Sequence, residues 1–183
     1  MTIMPHKSFS LAKGLVQVFM GRGRGKTSVA LGTVMRASGW GLKTYIAFFL
    51  KGKHEVGEYK TLSRLPNVDW AVCGRSGFRG PPNITPEDKE LARQALASAS
   101  KALKSGNYDL VVLDEVNMAV TWKVIDLEDV IRLIKEKPPN VELILTGRDA
   151  DPRLFELADL VTEMVNIKHP YDKGMLARKG IDY

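Results

Sequence analysis

Six short apolar runs punctuate the chain, each bounded by polar or turn-forming residues. They are LVQVFM (Leu15–Met20), TYIAFFL (Thr44–Leu50), VDWAVC (Val68–Cys73), DLVVLD (Asp109–Asp114), VELILT (Val141–Thr146) and LVTEMVNI (Leu160–Ile167). Their β-branched and aromatic content predicts strands, and the continuously apolar ones read as strands covered on both faces. Helical patterns lie between them. Lys26–Ser38 follows a glycine-rich turn. Thr85–Lys104 opens with TPED, in which Thr85 can cap, Pro86 suits the first helical position and Asp88 can receive backbone N–H groups. Asp126–Lys137 starts acidic, ends lysine-rich and is stopped by Pro138-Pro139. Strands alternating with helices predict an α/β fold. Its central sheet would have about six mostly parallel strands, with helices on both faces and right-handed crossovers.

Length and composition narrow the class. The 183 residues fit one domain, read here as residues 15–183 behind a short N-terminal arm of residues 1–14. The single cysteine, Cys73, allows no internal disulfide, which agrees with a reducing, cytoplasmic setting. No apolar run is long enough to span a bilayer, and the opening MTIMPHKSFSLAKG lacks the apolar core of a secretory signal. The net charge is +6, but the lysines and arginines are dispersed. That distribution favours a solvated surface with an anion pocket over a nucleic-acid face.

The candidate chemistry sits after the first strand, in Met20-Gly21-Arg22-Gly23-Arg24-Gly25-Lys26-Thr27-Ser28. Gly-Lys-Thr ends a Walker A phosphate loop, and the strand–loop–helix setting is the one such a loop needs. Glycines let successive N–H groups converge on an anion, and the helix N-terminus adds positive partial charge. Lys26 would reach phosphate oxygens and Thr27 would bind magnesium. The first Walker glycine is missing, however. Met20 holds its place, and glycines fall at alternate positions instead. Downstream, DLVVLDE puts Asp114 and Glu115 at a strand end, where acidic residues of P-loop proteins hold magnesium directly or through water. These residues predict Mg·ATP binding and leave the reaction open.

The remaining motifs resemble the P-loop ATP:corrinoid adenosyltransferases, also called cob(I)alamin adenosyltransferases. Gly21-Arg-Gly-Arg-Gly-Lys-Thr-Ser28 shares that family's offset glycines, and ALGTVMRASGWG and FFLKG follow in family order. So do VVLDE, TGR (Thr146–Arg148), ADLVTEM (Ala158–Met164), IKH (Ile167–His169) and GMLARKGIDY (Gly174–Tyr183). The resemblance runs from Leu15 to Tyr183. It implies a RecA-like P-loop domain that transfers the 5′-deoxyadenosyl group of ATP to the cobalt of a reduced corrinoid and releases triphosphate. It also implies corrinoid salvage or cobalamin synthesis, a homodimer and a flavoprotein reductant. Lys26, Thr27 and Glu115 would then be catalytic, with Thr27, Asp114 and Glu115 around Mg2+. Gly21, Arg22, Gly23, Arg24, Gly25, Ser28, Lys51, Phe78 and Arg148 would join Lys26 and Thr27 in binding the substrates.

Two departures stand out. Arg22 and Arg24 replace the family's Asn or Asp and its Lys, and an arginine does not reproduce a lysine contact. The family's corrinoid loop carries Gly-Phe-x-Trp, whereas this chain has Gly77-Phe78-Arg79-Gly80, inside the Gly/Pro-rich loop Gly74–Thr85. Trp40, Trp70 and Trp122 read as core or surface aromatics, and His169 and Cys73 as structural residues. Two rival readings are an ordinary P-loop ATPase or kinase, which would release ADP, and a nucleotide-regulated module that binds nucleic acid.

Overall fold

The computed structural model describes residues 10–52, 56–75 and 80–183. Six strands form one sheet: β1 (Val16–Met20), β2 (Thr44–Phe49), β3 (Val68–Cys73), β4 (Leu110–Asp114), β5 (Glu142–Thr146) and β6 (Leu160–Glu163). The order is β3-β2-β4-β5-β1-β6, and every pairing is parallel. Parallel neighbours require crossovers, and helices supply them: α1 (Lys26–Gly39), α2 (Gly57–Leu62), α3 (Pro86–Lys104), α4 (Val116–Thr121), α5 (Leu127–Lys135) and α6 (Pro152–Leu157). This is the expected α/β architecture of a P-loop protein.

The pleat divides the core in two. Val111 and Leu113 of β4, with Ala47 and Phe49 of β2, join α3, α4, α5 and α6 on one face. Leu110 and Val112, with Ile46 and Phe48, join α1 and Leu62 of α2 on the other. Side chains alternate across a strand, so a strand buried on both faces must be apolar at successive positions. β4 meets that demand, and all five of its residues are buried.

Helix α3 begins as its sequence predicts. The Thr85 hydroxyl accepts from the Asp88 N–H, and the Asp88 carboxylate accepts from the Thr85 N–H, which closes a capping box. Arg75, leaving β3, grips the same carboxylate through Nε at 2.8 Å and Nη2 at 3.0 Å. The pair holds the Asp88 carboxyl below the usual carboxylate range, chiefly through the Arg75 hydrogen bonds. Both ends of the Gly/Pro-rich loop are therefore fixed to one helix start.

The short helices α2, α4 and α6 escaped the sequence pattern, because six residues are too few to establish a helical period. The last strand is shorter than Leu160–Ile167. From Met164 onward the chain leaves the β6 ladder and lies along the glycine loop instead.

Candidate active site

Parallel strands place all their C-terminal ends at one edge of the sheet, where open α/β proteins bind ligands. β1 delivers the glycine loop there, β2 delivers Lys51, β4 delivers Asp114 and Glu115, and β5 delivers Thr146 and Arg148.

The alternate glycines have a steric reason. The loop bends beside the residues after β6, with Met164 N donating to Met20 O at 2.8 Å and Gly23 N donating to Met164 O at 2.6 Å. A Cβ on Gly21 would lie 2.5 Å from Met164 O, and one on Gly23 would lie 2.7 Å from it. Both positions therefore face a backbone that leaves no room for a side chain. Gly21 and Gly25 also adopt φ values of 101° and 119°, which disfavour any other residue. Crowding by the Met164 backbone at Gly21 and Gly23, and the left-handed φ at Gly21 and Gly25, together account for the alternate glycines. Met20 instead completes β1, opposite Glu163.

Lys26 opens α1 and is 8% exposed. Its Nζ donates to Gly21 O at 2.7 Å and to Gly23 O at 2.8 Å, which fixes the loop's curvature. Burial pushes this ammonium below its ordinary value. Glu115 and Asp114 oppose that shift, and Arg148 adds to it.

Asp114 is 1% exposed and fully engaged. Thr27 Oγ1 and Thr146 Oγ1 donate to its Oδ1 at 2.9 Å and 2.7 Å, and Lys51 Nζ lies 2.6 Å from its Oδ2. Glu115 takes the left-handed conformation at φ 63°, and its N–H donates to Thr146 Oγ1 at 2.9 Å. Leu50, just before Lys51, is also left-handed, at φ 58°. Such conformations in residues other than glycine cost energy, and they gather at functional sites. Burial, and then the Asp114 charge, push the Glu115 carboxyl above its ordinary value against the pull of Lys51, Lys26 and Arg148.

Two cavities meet at this cluster. One, of about 480 Å³, is lined by Arg24, Gly25, Lys26, Thr27 and Ser28 of the loop, and by Lys51, Glu115, α2 and the C-terminal segment. The other, also about 480 Å³, is lined by Phe49, Leu50, Met118, Trp122 and Arg148, and again by Lys51 and Glu115. Gly21 and Gly23 lie buried behind the loop, and Arg22 is exposed outside the first cavity. The Arg148 carbonyl accepts from Gly21 N at 2.7 Å, while its side chain borders the second cavity. Phe78 lies outside the described residues. His169 serves structurally, its Nδ1 accepting from Tyr171 N at 3.2 Å.

The oxygen donors suit a hard cation. Among the described residues no group of three His, Cys, Asp or Glu converges on a metal position. Thr27, Asp114 and Glu115 supply one hydroxyl and two carboxylates, a sparse set that matches magnesium's habit of keeping water and phosphate ligands. Asp114 already accepts three bonds, so among the described residues Glu115 is the less engaged of the two carboxylates.

The ATP:corrinoid adenosyltransferase BtuR/CobO/CobP family profile matches residues 12–183. The chain belongs to this family. The corrinoid adenosyltransferase of Escherichia coli (strain K12) is 35% identical over 171 residues, which cover 93% of this chain and 86% of that protein. The Pseudomonas aeruginosa corrinoid adenosyltransferase is 36% identical over 172 residues, covering 93% and 84%. Corrinoid adenosyltransferase CobA of Salmonella typhimurium is 33% identical over 171 residues, covering 93% and 86%. The family's general reaction is adenosyl transfer from ATP to a corrinoid, so the adenosyltransferase needs room for two substrates at one edge.

Two residues at that edge have roles that the sequence did not assign, although Thr146 stood in the TGR motif. Thr146 bridges Asp114 and Glu115 from 32 and 31 residues away. Trp122, read as a core or surface aromatic, forms a wall of the second cavity. A Cβ on Gly80 would lie 2.8 Å from its ring, so the glycine standing at the family's tryptophan position admits the Trp122 indole.

Proposed function

We propose that the chain transfers the 5′-deoxyadenosyl group of ATP to the cobalt of a reduced corrinoid and releases inorganic triphosphate. The observation that carries this reading is the junction of the two cavities at Lys51 and Glu115. The phosphates of ATP would take the loop cavity. The corrinoid would take the second, where Leu50, Met118 and Trp122 offer apolar contact. C5′ would then sit between them.

Cobalt(I) is a strong nucleophile, so the protein needs no general base. A cobalt–carbon bond forms as the C5′–oxygen bond breaks, and the electron pair leaves on the triphosphate. The residues have two tasks: to fix the line of attack and to stabilise the growing charge. Lys26, at the start of α1 beside the loop cavity, would turn its ammonium from the loop carbonyls towards that charge. Lys51, anchored by Asp114, adds a cation at the junction. Thr27, Asp114 and Glu115 would hold magnesium, which would supply further positive charge to the triphosphate. Corrinoid salvage or synthesis, a homodimer, a flavoprotein reductant and a cytoplasmic setting follow from the family resemblance and belong to this reading.

The test is spectroscopic. Mg·ATP and chemically reduced cobalamin should give the light-sensitive adenosylcobalamin spectrum and stoichiometric triphosphate. Release of ADP, with no cobalt–carbon bond formed, would establish the ATPase reading instead.

A further inference from the structure

The loop's second arginine points to a carboxylate in the C-terminal segment. Arg24 Nη2 lies 2.8 Å from Asp182 Oδ1 and donates to the Ile181 carbonyl. Asp182 is itself held from behind. Its Oδ2 accepts from Arg178 N at 2.8 Å and from Arg178 Nε at 3.0 Å. These bonds keep the Asp182 carboxyl below the usual range, led by the Arg178 side chain, with a smaller contribution from Arg24. Gly180, Ile181, Asp182 and Tyr183 line the loop cavity together with Arg24. Asp182 is therefore a fixed anion beside Arg24 at the wall of the loop cavity, which Lys26, Lys51, Glu58 and Glu115 also line.

Arg24 can serve either the wall or a phosphate. The Arg24 and Asp182 side chains are 48% and 21% exposed, and ion pairs that open to water are weak enough to exchange partners. The same cavity already contains Lys26 and Lys51. A product as highly charged as triphosphate would be held tightly by three cations, and slow product release limits many enzymes.

We propose that Asp182 is a positioning residue that competes with the terminal phosphate for Arg24, so that the triphosphate can leave. This inference rests on the triphosphate-releasing reading above. Its location follows from that reading too, because C5′ at the Lys51–Glu115 junction directs the phosphates outward along the loop towards Arg24. The role is one of release and not of bond making.

The probe is inorganic tripolyphosphate with magnesium, titrated calorimetrically against the full chain. Asp182→Asn should bind tripolyphosphate about tenfold more tightly than the parent, since a charged acceptor has been removed from Arg24. Arg24→Gln should bind it more weakly. Asp182→Asn in the Arg24→Gln background should change nothing further, because the carboxylate acts through that arginine. Asp182→Glu should restore parental affinity. In turnover, Asp182→Asn should lower kcat while the corrinoid KM stays within about twofold. Weaker or unchanged tripolyphosphate binding in Asp182→Asn would overturn the proposal, since a wall residue of purely structural value can only loosen the pocket. Tightening that persists without Arg24 would overturn it as well. Tripolyphosphate binding is read without any adenosyl transfer. A parent that fails to make adenosylcobalamin would therefore defeat the functional reading and leave this test standing.

Discussion

β4 and β6 are both parallel strands that end at the same edge, yet they lie at opposite extremes of burial. Every residue of β4 is buried, and every residue of β6 is exposed. β4 lies between β2 and β5, whereas β6 is hydrogen-bonded only to β1. The central strand ends in Asp114, held by two hydroxyls and an ammonium. The edge strand ends in a segment whose backbone crowds the glycine loop, and the tail beyond it carries Asp182. The sheet thus separates two tasks. The charge that the proposed bond making needs fixed, Asp114 with its partners, stands on its fully buried central strand. The Arg24–Asp182 contact, which under the proposal above yields to bound phosphate and re-forms as product leaves, follows its least buried one.

The largest effect should come from cutting the central strand. Leu113 is fully buried beside Asp114. Leu113→Ala should cost about 3 kcal/mol, since it removes buried methyl groups and leaves a cavity. Chemical denaturation would measure it. A loss below about 1 kcal/mol would show that β4 relaxes as readily as an edge strand, and the contrast would fail.

Lys26→Ala tests the charge standing on that frame. It should lower adenosylation at least a hundredfold, about 2.7 kcal/mol of transition-state stabilisation. Rapid-quench measurement of adenosylcobalamin would report it. Activity within about threefold of the parent would remove Lys26 from the reacting site.

Most of the central strand and its acidic end were legible in sequence, because burial on both faces forces an apolar run and Gly-Lys-Thr has few other uses. The edge was less legible. LVTEMVNI has strand composition throughout, but pairing stops at Glu163, since the glycine loop takes up the Met164 backbone. That contact joins residues more than 140 positions apart, and so does the one between Arg24 and Asp182. No local pattern encodes either. The same holds for Trp122, whose place beside Gly80 depends on a loop and a helix end meeting in space.

Glu115→Gln sharpens the contrast by giving two readouts of opposite sign. The magnesium concentration needed for half-maximal activity should rise, because the less engaged carboxylate has gone. Stability should rise as well. A carboxyl whose folded pKa is raised contributes stability fully below its ordinary value and loses it as pH climbs through the folded value. Above that folded value the ionised Glu115 is thus a burden, and the amide relieves it. The melting temperature in magnesium-free buffer should increase at alkaline pH, and the gain should shrink in acid. A parental magnesium requirement together with a lower melting temperature would make Glu115 an ordinary structural acid.

The smallest effect belongs to the edge strand. Val161 is paired opposite Val18 but is 42% exposed, so a large part of its side chain stays in water. Threonine keeps the β-branched shape and the strand preference while replacing a methyl with a hydroxyl that water can satisfy. In a buried strand that exchange would strand a polar group. Here Val161→Thr should change stability by less than about 0.5 kcal/mol and leave tripolyphosphate affinity unaltered. Denaturation should be run at low protein concentration, so that any pairing of copies through the exposed edge does not contribute. A loss above about 1.5 kcal/mol in dilute protein would place β6 inside a core and erase the distinction between fixed and yielding ends. A loss that appears only at high concentration would instead locate a contact between copies on this edge, which the neighbouring exposed Leu160, Val165 and Ile167 could extend.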